Sequence, residues 1–301
     1  MARTHNLQLP MRDGVSASCV ALPCGPWPTL LDFLVHRLPK VSRQDWLQRM
    51  QAGEVLDADG VAVQAHMPYR PQHKLYYYRS LPPEPRVPFD EQVLFRDEHL
   101  LVVDKPHFLP VTPSGRYLQE TLLVRLKRRL NLPTLAPMHR IDRETAGLVL
   151  FTLQPQARNA YQSLFRDRVV HKQYEAIAPH RAGLQFPLTY RSRLVDNEDA
   201  FMVMDEVDGE PNAETAIELL EVRGDQARYA LSPLTGKRHQ LRVQMAALGL
   251  PIANDQIYPT LQPEGQPDYD RPLKLLARTL AFTDPISGQP RRFESRLTLQ
   301  F

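Results

Sequence analysis

The sequence has no apolar run near the ~18 residues that a membrane span requires. Its N-terminus also lacks the apolar core of a secretory leader, because Pro23 and Pro26 interrupt the one apolar stretch there. The expectation is a cytoplasmic protein with no membrane contact. Cysteine is scarce. Cys19 and Cys24 are the only two, and without His or Cys at ligand spacing they form neither a zinc site nor a disulfide framework, so no metal is expected. An excess of one charge is missing as well: 37 Lys and Arg face 34 Asp and Glu in 301 residues, a balance that permits a nucleic-acid partner without demanding one. Proline alone is abundant, 28 residues where about 5% is usual, and it gathers in turns and in one linker.

Residues 1–28 carry scattered Pro and Gly without a sustained period, which reads as an extended arm or edge strand. Residues 29–80 form a small unit. Thr29 precedes an apolar pattern at Leu30, Leu31, Phe33, Leu34 and Leu38, while Ser42 with Asp45 three residues on is a capping-box start for a helix burying Trp46, Leu47 and Met50. Asp59-Gly60 suits a tight hairpin joining Val55 and Leu56 to Val61 and Val63. The proline-rich stretch 81–88 reads as a linker. From residue 89 to 301 β signals dominate, among them Leu100–Asp104, Gly147–Thr152, Tyr174–Ala178, one long run Arg191–Met204, Ala213–Val222, Leu273–Phe282 and Arg292–Leu299. Helical spacing interrupts them at Leu118 to Leu130, Ala157 to Arg168 and Leu241 to Leu248. The fold class is α+β: a large, mostly antiparallel mixed sheet flanked by helices, with a small N-terminal α/β unit.

The balanced total charge hides a partition. Residues 116–172 hold 11 basic and 4 acidic side chains, and within them Arg125, Arg128 and Arg129 are spaced to line one helix face that could meet a phosphate backbone. The same block contains His139-Arg140-Ile141-Asp142-Arg143-Glu144-Thr145-Ala146-Gly147, a loop running into the apolar strand Leu148–Phe151. Arg140 and Arg143 flank Asp142 with positive charge. An ionised carboxylate at a loop beside a buried strand can serve as nucleophile or base. From spacing alone it can equally pair with a neighbouring Arg or cap a turn.

HRIDRETAGLVLF, residues 139–151, resembles the signature of the RluA-type pseudouridine synthases: His-Arg-Leu-Asp, two variable residues, Thr, a small residue, Gly and an apolar strand. LLVVDKPHFLPVTPSG resembles that family's early strand-turn block, KQYEAIA its Lys-X-Tyr strand, GKRHQLRVQMAALGLPIANDQIY its late motif, and LLARTLAFTDPISGQP its closing hairpin. The resemblance covers most of residues 89–301. It implies conversion of uridine in structured RNA to pseudouridine, without a cofactor. It carries the catalytic aspartate onto Asp142, acting on the sugar as nucleophile or base. It carries the active-site tyrosine onto Tyr174, whose ring can stack on uracil, and an ion-pair partner of Asp142 onto Arg242. Arg140 would hold the RNA open where the target base has left the stack. His139, Leu241 and Arg238 are expected to contact substrate, Arg238 as a phosphate contact sharing a helix face with Arg242. Ala146 where Ser is frequent, Lys237-Arg238 where Arg-Thr is usual and Asp104 where Asn is frequent are departures that touch none of this chemistry.

Residues 29–60 are similar to the alpha-L RNA-binding motif of the ribosomal small-subunit S-four type. That likeness implies phosphate contacts by His36, Arg37, Lys40, Arg43 and Arg49, although Asp32 and Asp45 also suit a solvated helix face. The expected partner is RNA, ribosomal RNA favoured over transfer RNA, and the expected state is a monomer, since no heptad is present. The competing reading is a noncatalytic RNA-binding or ribosome-assembly protein, which retention of Asp142, Tyr174 and Arg242 opposes. A hydrolase using Asp142 and Glu144 as paired carboxylates is set aside because the two are taken to point apart.

Overall fold

The computed structural model describes residues 9–79, 84–263 and 265–301. The chain divides into two compact units, residues 1–84 and 85–301. Part of the expected arm, residues 1–8, and part of the expected linker, residues 81–83, lie outside the described residues.

The first unit contains β1 (Ser18–Ala21), α1 (Leu30–Arg37), α2 (Arg43–Gln51), β2 (Val55–Leu56) and β3 (Lys74–Tyr77). The Thr29 hydroxyl accepts the Asp32 amide at the start of α1, and Ser42 and Asp45 cap each other's backbone at the start of α2. These contacts satisfy amides that helix geometry leaves unpaired. Phe33, Leu34, Trp46, Met50 and Val55 are buried together. The sheet order is β1-β3-β2, so the expected arm supplies an edge strand. The Asp59-Gly60 turn forms with Gly60 at φ 79°, but the strand after it is reduced to a single bridge between Leu56 and Ala62, and the main partner of β2 is β3.

The second unit contains β4 (Gln92–Arg96), β5 (Leu100–Lys105), α3 (Leu122–Leu130), β6 (Ala136–Pro137), β7 (Ala146–Thr152), α4 (Arg158–Arg166), β8 (His171–Pro179), β9 (Leu188–Asp196), β10 (Met204–Val207), β11 (Ala213–Arg223), β12 (Gln226–Pro233), α5 (Gln240–Ala247), β13 (Leu275–Thr283) and β14 (Pro290–Glu294). They build an eleven-stranded sheet ordered β10-β9-β11-β12-β8-β13-β7-β5-β4, with β14 beside β13 and β6 beside β7. Among the described residues, pairing is antiparallel except between β13 and β7.

β5 and β7 are buried along their whole length because both faces are covered. Side chains alternate across a strand. Leu101, Val103, Val149 and Phe151 pack against Leu122 and Leu126 of α3, while Leu100, Val102, Leu148 and Leu150 pack with Tyr161 of α4. On the other half of the sheet, Leu241 and Met245 of α5 lie with Ala176, Tyr229 and Leu231.

Two strand expectations are corrected. The run Arg191–Met204 is a hairpin of β9 and β10, because the Asn197 side chain accepts the amides of Asp199 and Ala200 and turns the chain. The last strand ends at Glu294 rather than Leu299, because the buried Asp104 carboxylate captures the Ser295 hydroxyl at 2.6 Å and the Arg296 amide at 2.7 Å.

Gly147 sits where β7 meets β13, at φ 107°, and a Cβ there would lie 2.3 Å from the Ala277 carbonyl oxygen. Both the dihedral and the backbone approach require glycine. Gly147→Ala is expected to cost about 2–3 kcal/mol, read as a lower urea midpoint, with activity falling because the loop before β7 loses its anchor. An unchanged midpoint would show that β13 can retreat freely.

Candidate active site

The loop between β6 and β7 and the N-terminal turn of α5 face each other across a cavity of about 110 Å³, lined among others by Arg140, Asp142, Lys172, Tyr174, His239 and Arg242. Asp142 and Arg242 stand 100 residues apart in sequence, yet Arg242 Nη1 donates to Asp142 Oδ2 at 3.2 Å. The Arg242 side chain is 1% exposed and the Asp142 carboxylate 25% exposed. The cation is therefore fixed below and the carboxylate is open to the cavity.

Asp255, beyond α5, holds Arg242 in place. Arg242 Nε donates to Asp255 Oδ2 at 2.8 Å and Nη2 to Oδ1 at 2.6 Å, a two-point fork. Asp255 Oδ1 also accepts the amides of Ile257 and Tyr258, so the fork is fastened to the backbone. Burial alone would lower the Arg242 pKa, but the Asp255 hydrogen bonds and the nearby Asp142 charge outweigh it and raise it. Glu144 lies 3.9 Å from the same Nη1. Asp142 and Glu144 thus converge on one guanidinium instead of pointing apart, which corrects the ground on which that pair was set aside. Burial would raise the Glu144 pKa, but Arg143 and Arg242 prevail and lower it.

Beneath the loop, the wholly buried Lys105 Nζ donates to the carbonyls of Pro106 at 2.9 Å and Arg143 at 3.1 Å. Burial lowers its pKa to about 7 against the opposing pull of Glu144 and Asp142. His107 Nδ1 meets the Glu144 carbonyl at 2.6 Å, so β5 and the turn after it tie down the loop that carries Asp142. Lys172 reaches the Thr235 carbonyl at 2.9 Å from β8, its pKa lowered to about 8 by burial and by Arg168. Tyr174, two residues on, lines the cavity, and burial followed by the Asp142 charge raises its pKa. Among the described residues no hydrogen bond engages its hydroxyl.

Of the residues expected from sequence, Asp142, Tyr174, Arg242, Arg140 and Leu241 line the cavity. Three do not behave as expected. His139 stacks on Phe165 at 4.4 Å with its Nε2 accepting the Leu150 amide, and burial lowers its pKa to about 3. It packs within the loop and is not among the residues that line the cavity. Arg238 precedes α5, because His239 at φ 51° breaks the backbone before the helix, so it shares no helix face with Arg242. Its guanidinium pairs with Asp196 at 2.7 Å and donates to the carbonyls of Phe201 and Val203, which commits it to the β9–β10 hairpin. Arg143 turns from Asp142 to Glu144 and Tyr117.

In the expected phosphate row on α3, Arg125 is engaged within the protein while Arg128 and Arg129 stay exposed. Arg125 pairs with Glu91 at 3.6 Å and with Glu120, donates to the carbonyls of Phe89 and Val87, and is 13% exposed. Arg129 pairs with Glu91 at 3.1 Å, and Arg128 reaches the Gln119 side chain at 3.4 Å. Arg125→Ala is expected to cost about 2 kcal/mol, because Glu120 loses its cation and Glu91 keeps only Arg129, while the salt dependence of RNA binding stays unchanged. A flatter salt slope with unaltered stability would restore the phosphate role. In the first unit Arg37 and Lys40 are exposed, and Arg43 pairs with Asp32 at 2.8 Å.

Asp255, Glu144, Lys105, Lys172 and His239 went unassigned from sequence. The available signals were the Asn-Asp pair near the end of the late motif, the Lys-Pro of the early block and the Lys two residues before Tyr174.

Similarity to known proteins identifies the family. A family model described as RNA pseudouridylate synthase matches residues 99–247. The dual-specificity RNA pseudouridine synthase RluA of Escherichia coli K12 is 34% identical over 213 residues, covering 67% of this chain and 91% of that protein. An uncharacterized RNA pseudouridine synthase of Synechocystis is 30% identical over 231 residues, covering 76% and 79%. The solved structure of human RNA pseudouridylate synthase domain containing 1 shares the fold with a TM-score of 0.55 at 24% identity, over 73% of this chain and 94% of that one. From the match to its family model and the length shared with RluA, this chain belongs to the RluA-type family of RNA pseudouridine synthases, isomerases that act on RNA.

Proposed function

We propose that the cavity takes one uridine out of a structured RNA and that Asp142 acts on its ribose, as nucleophile at the sugar or as base toward a sugar proton. The reaction breaks the bond from the sugar to N1 of uracil, turns the base and forms the bond to C5. C5 loses a proton and N1 ends with one, so the isomerisation consumes no cofactor. The observation that carries the assignment is the half-open Asp142 carboxylate held on a buried guanidinium that Asp255 locks from behind. Tyr174 supplies a ring for the base and Arg140, exposed at the rim, a cation for the gap left in the RNA.

The substrate we favour is ribosomal rather than transfer RNA. Supporting this is the likeness of residues 29–60 to a small-subunit ribosomal RNA-binding motif, with Arg37, Lys40 and Arg43 as phosphate contacts. The absence of a heptad in the sequence supports a monomer, and we place it in the cytoplasm with its RNA. Mapping pseudouridine in total RNA from cells with and without this protein tests the reading: loss at a ribosomal site is expected. Loss only in transfer RNA would correct the substrate, and loss nowhere would favour a noncatalytic RNA-binding protein.

A further inference from the structure

The two oxygens of Asp142 are not equivalent. Oδ2 is taken by Arg242, whereas Oδ1 faces His239, whose Nε2 lies 3.9 Å away. The His239 side chain is 8% exposed and lines the cavity. Its backbone is left-handed, φ 51° and ψ 15°, a conformation that a residue with a side chain adopts at a cost and that recurs at functional sites. That turn points the ring at the carboxylate instead of away from it.

The ring is also oriented. Tyr258 Oη accepts the Met204 amide at 2.8 Å and lies 3.0 Å from His239 Nδ1. With the amide using one lone pair, the Tyr258 proton is left to donate, and His239 Nδ1 is the acceptor in reach. A neutral imidazole whose Nδ1 accepts must carry its proton on Nε2. Burial lowers the His239 pKa, against an opposing pull from Asp142, and so keeps the ring neutral. In that tautomer the chain of contacts from the Met204 amide through Tyr258 to His239 aims one N–H at the carboxylate oxygen that Arg242 leaves free.

We propose that His239 is a positioning residue for Asp142, its Nε2–H closing from 3.9 Å to hydrogen-bonding distance of Oδ1 when RNA fills the cavity. The inference rests on Asp142 being the catalytic carboxylate. It adds that Arg242 and His239 hold one oxygen each, so the carboxylate plane is fixed against the ribose. Tyr258 acts one step further out, by setting the tautomer.

The test uses the full chain and a substrate transcript. Asparagine tolerates left-handed backbone, so His239→Asn keeps the turn while its short amide cannot reach Oδ1. Its kcat is expected to fall about 10- to 100-fold, the worth of one hydrogen bond to a charged group, with KM and the urea midpoint near those of the parent. Nitrogen-15 NMR of the parent's histidines is expected to show His239 with the proton on Nε2, and Tyr258→Phe to show mixed tautomers and a smaller loss of kcat. Parental kcat in His239→Asn, a rise in KM alone, or a proton on Nδ1 in the parent would each overturn the proposal. Failure of the Asp142 assignment reads differently, as turnover persisting in Asp142→Ala with the His239 tautomer unchanged.

Discussion

Asp142→Asn protein is expected to form pseudouridine about 10⁴-fold more slowly than the parent, or slower still, while binding RNA with affinity within about twofold, because phosphate contacts and not this carboxylate carry affinity. Asparagine has nearly the same shape, and its amide oxygen can still accept from Arg242 Nη1. With the carboxylate 25% exposed, the lost charge is expected to change stability by less than about 1 kcal/mol. The variant therefore separates chemistry from folding. Release of tritium from C5-labelled uridine in RNA follows the reaction directly, since C5 must lose its proton. Turnover within tenfold of the parent would show that Asp142 is not the reacting group.

Arg242→Met is expected to damage both folding and activity. Arg242 is the shared counter-charge of Asp142, Glu144 and Asp255, and the Asp255 side chain is as buried as the guanidinium, each 1% exposed. Removing the cation leaves a buried carboxylate without its fork, a loss of about 3–5 kcal/mol, measurable as a lower urea midpoint. The double variant Arg242→Met with Asp255→Asn removes the orphaned charge as well and is expected to regain part of that stability but none of the activity. A double variant as inactive yet no more stable than the single one would mean that Asp255 is hydrated once Arg242 is gone. An active Arg242→Met would dismiss the ion pair as a requirement.

Much of this arrangement was legible where local chemistry decides the outcome. The Thr29 and Ser42 caps, the apolar runs of β5 and β7 and the placing of Asp142 ahead of a buried strand all follow from contacts within a few residues. The pairing of Asp142 with Arg242 was reached through resemblance to a family, not spacing, because a contact across 100 residues leaves no local pattern. What failed was the surroundings of charged side chains. The i, i+3, i+4 spacing of Arg125, Arg128 and Arg129 correctly implies neighbouring positions on one helix, but not that Glu91, just before β4, and Glu120 would already occupy Arg125. His139 sits in the segment that carries Asp142, yet the ring of Phe165 on α4 and the Leu150 amide claim it. Asp255 was missed for the same reason: it acts from below α5, thirteen residues beyond its partner.

Among the described residues, the one parallel ladder, between β7 and β13, brings together strands that the chain makes far apart, and the site inherits that separation. Contacts of such long sequence separation slow folding, because loop-closure entropy must be met before they form. As the chain leaves the ribosome, the Asp142 loop emerges about 100 residues before its counter-cation and longer still before Asp255. The nascent protein therefore carries the proposed reacting carboxylate without Arg242 and Asp255 until those residues have been made.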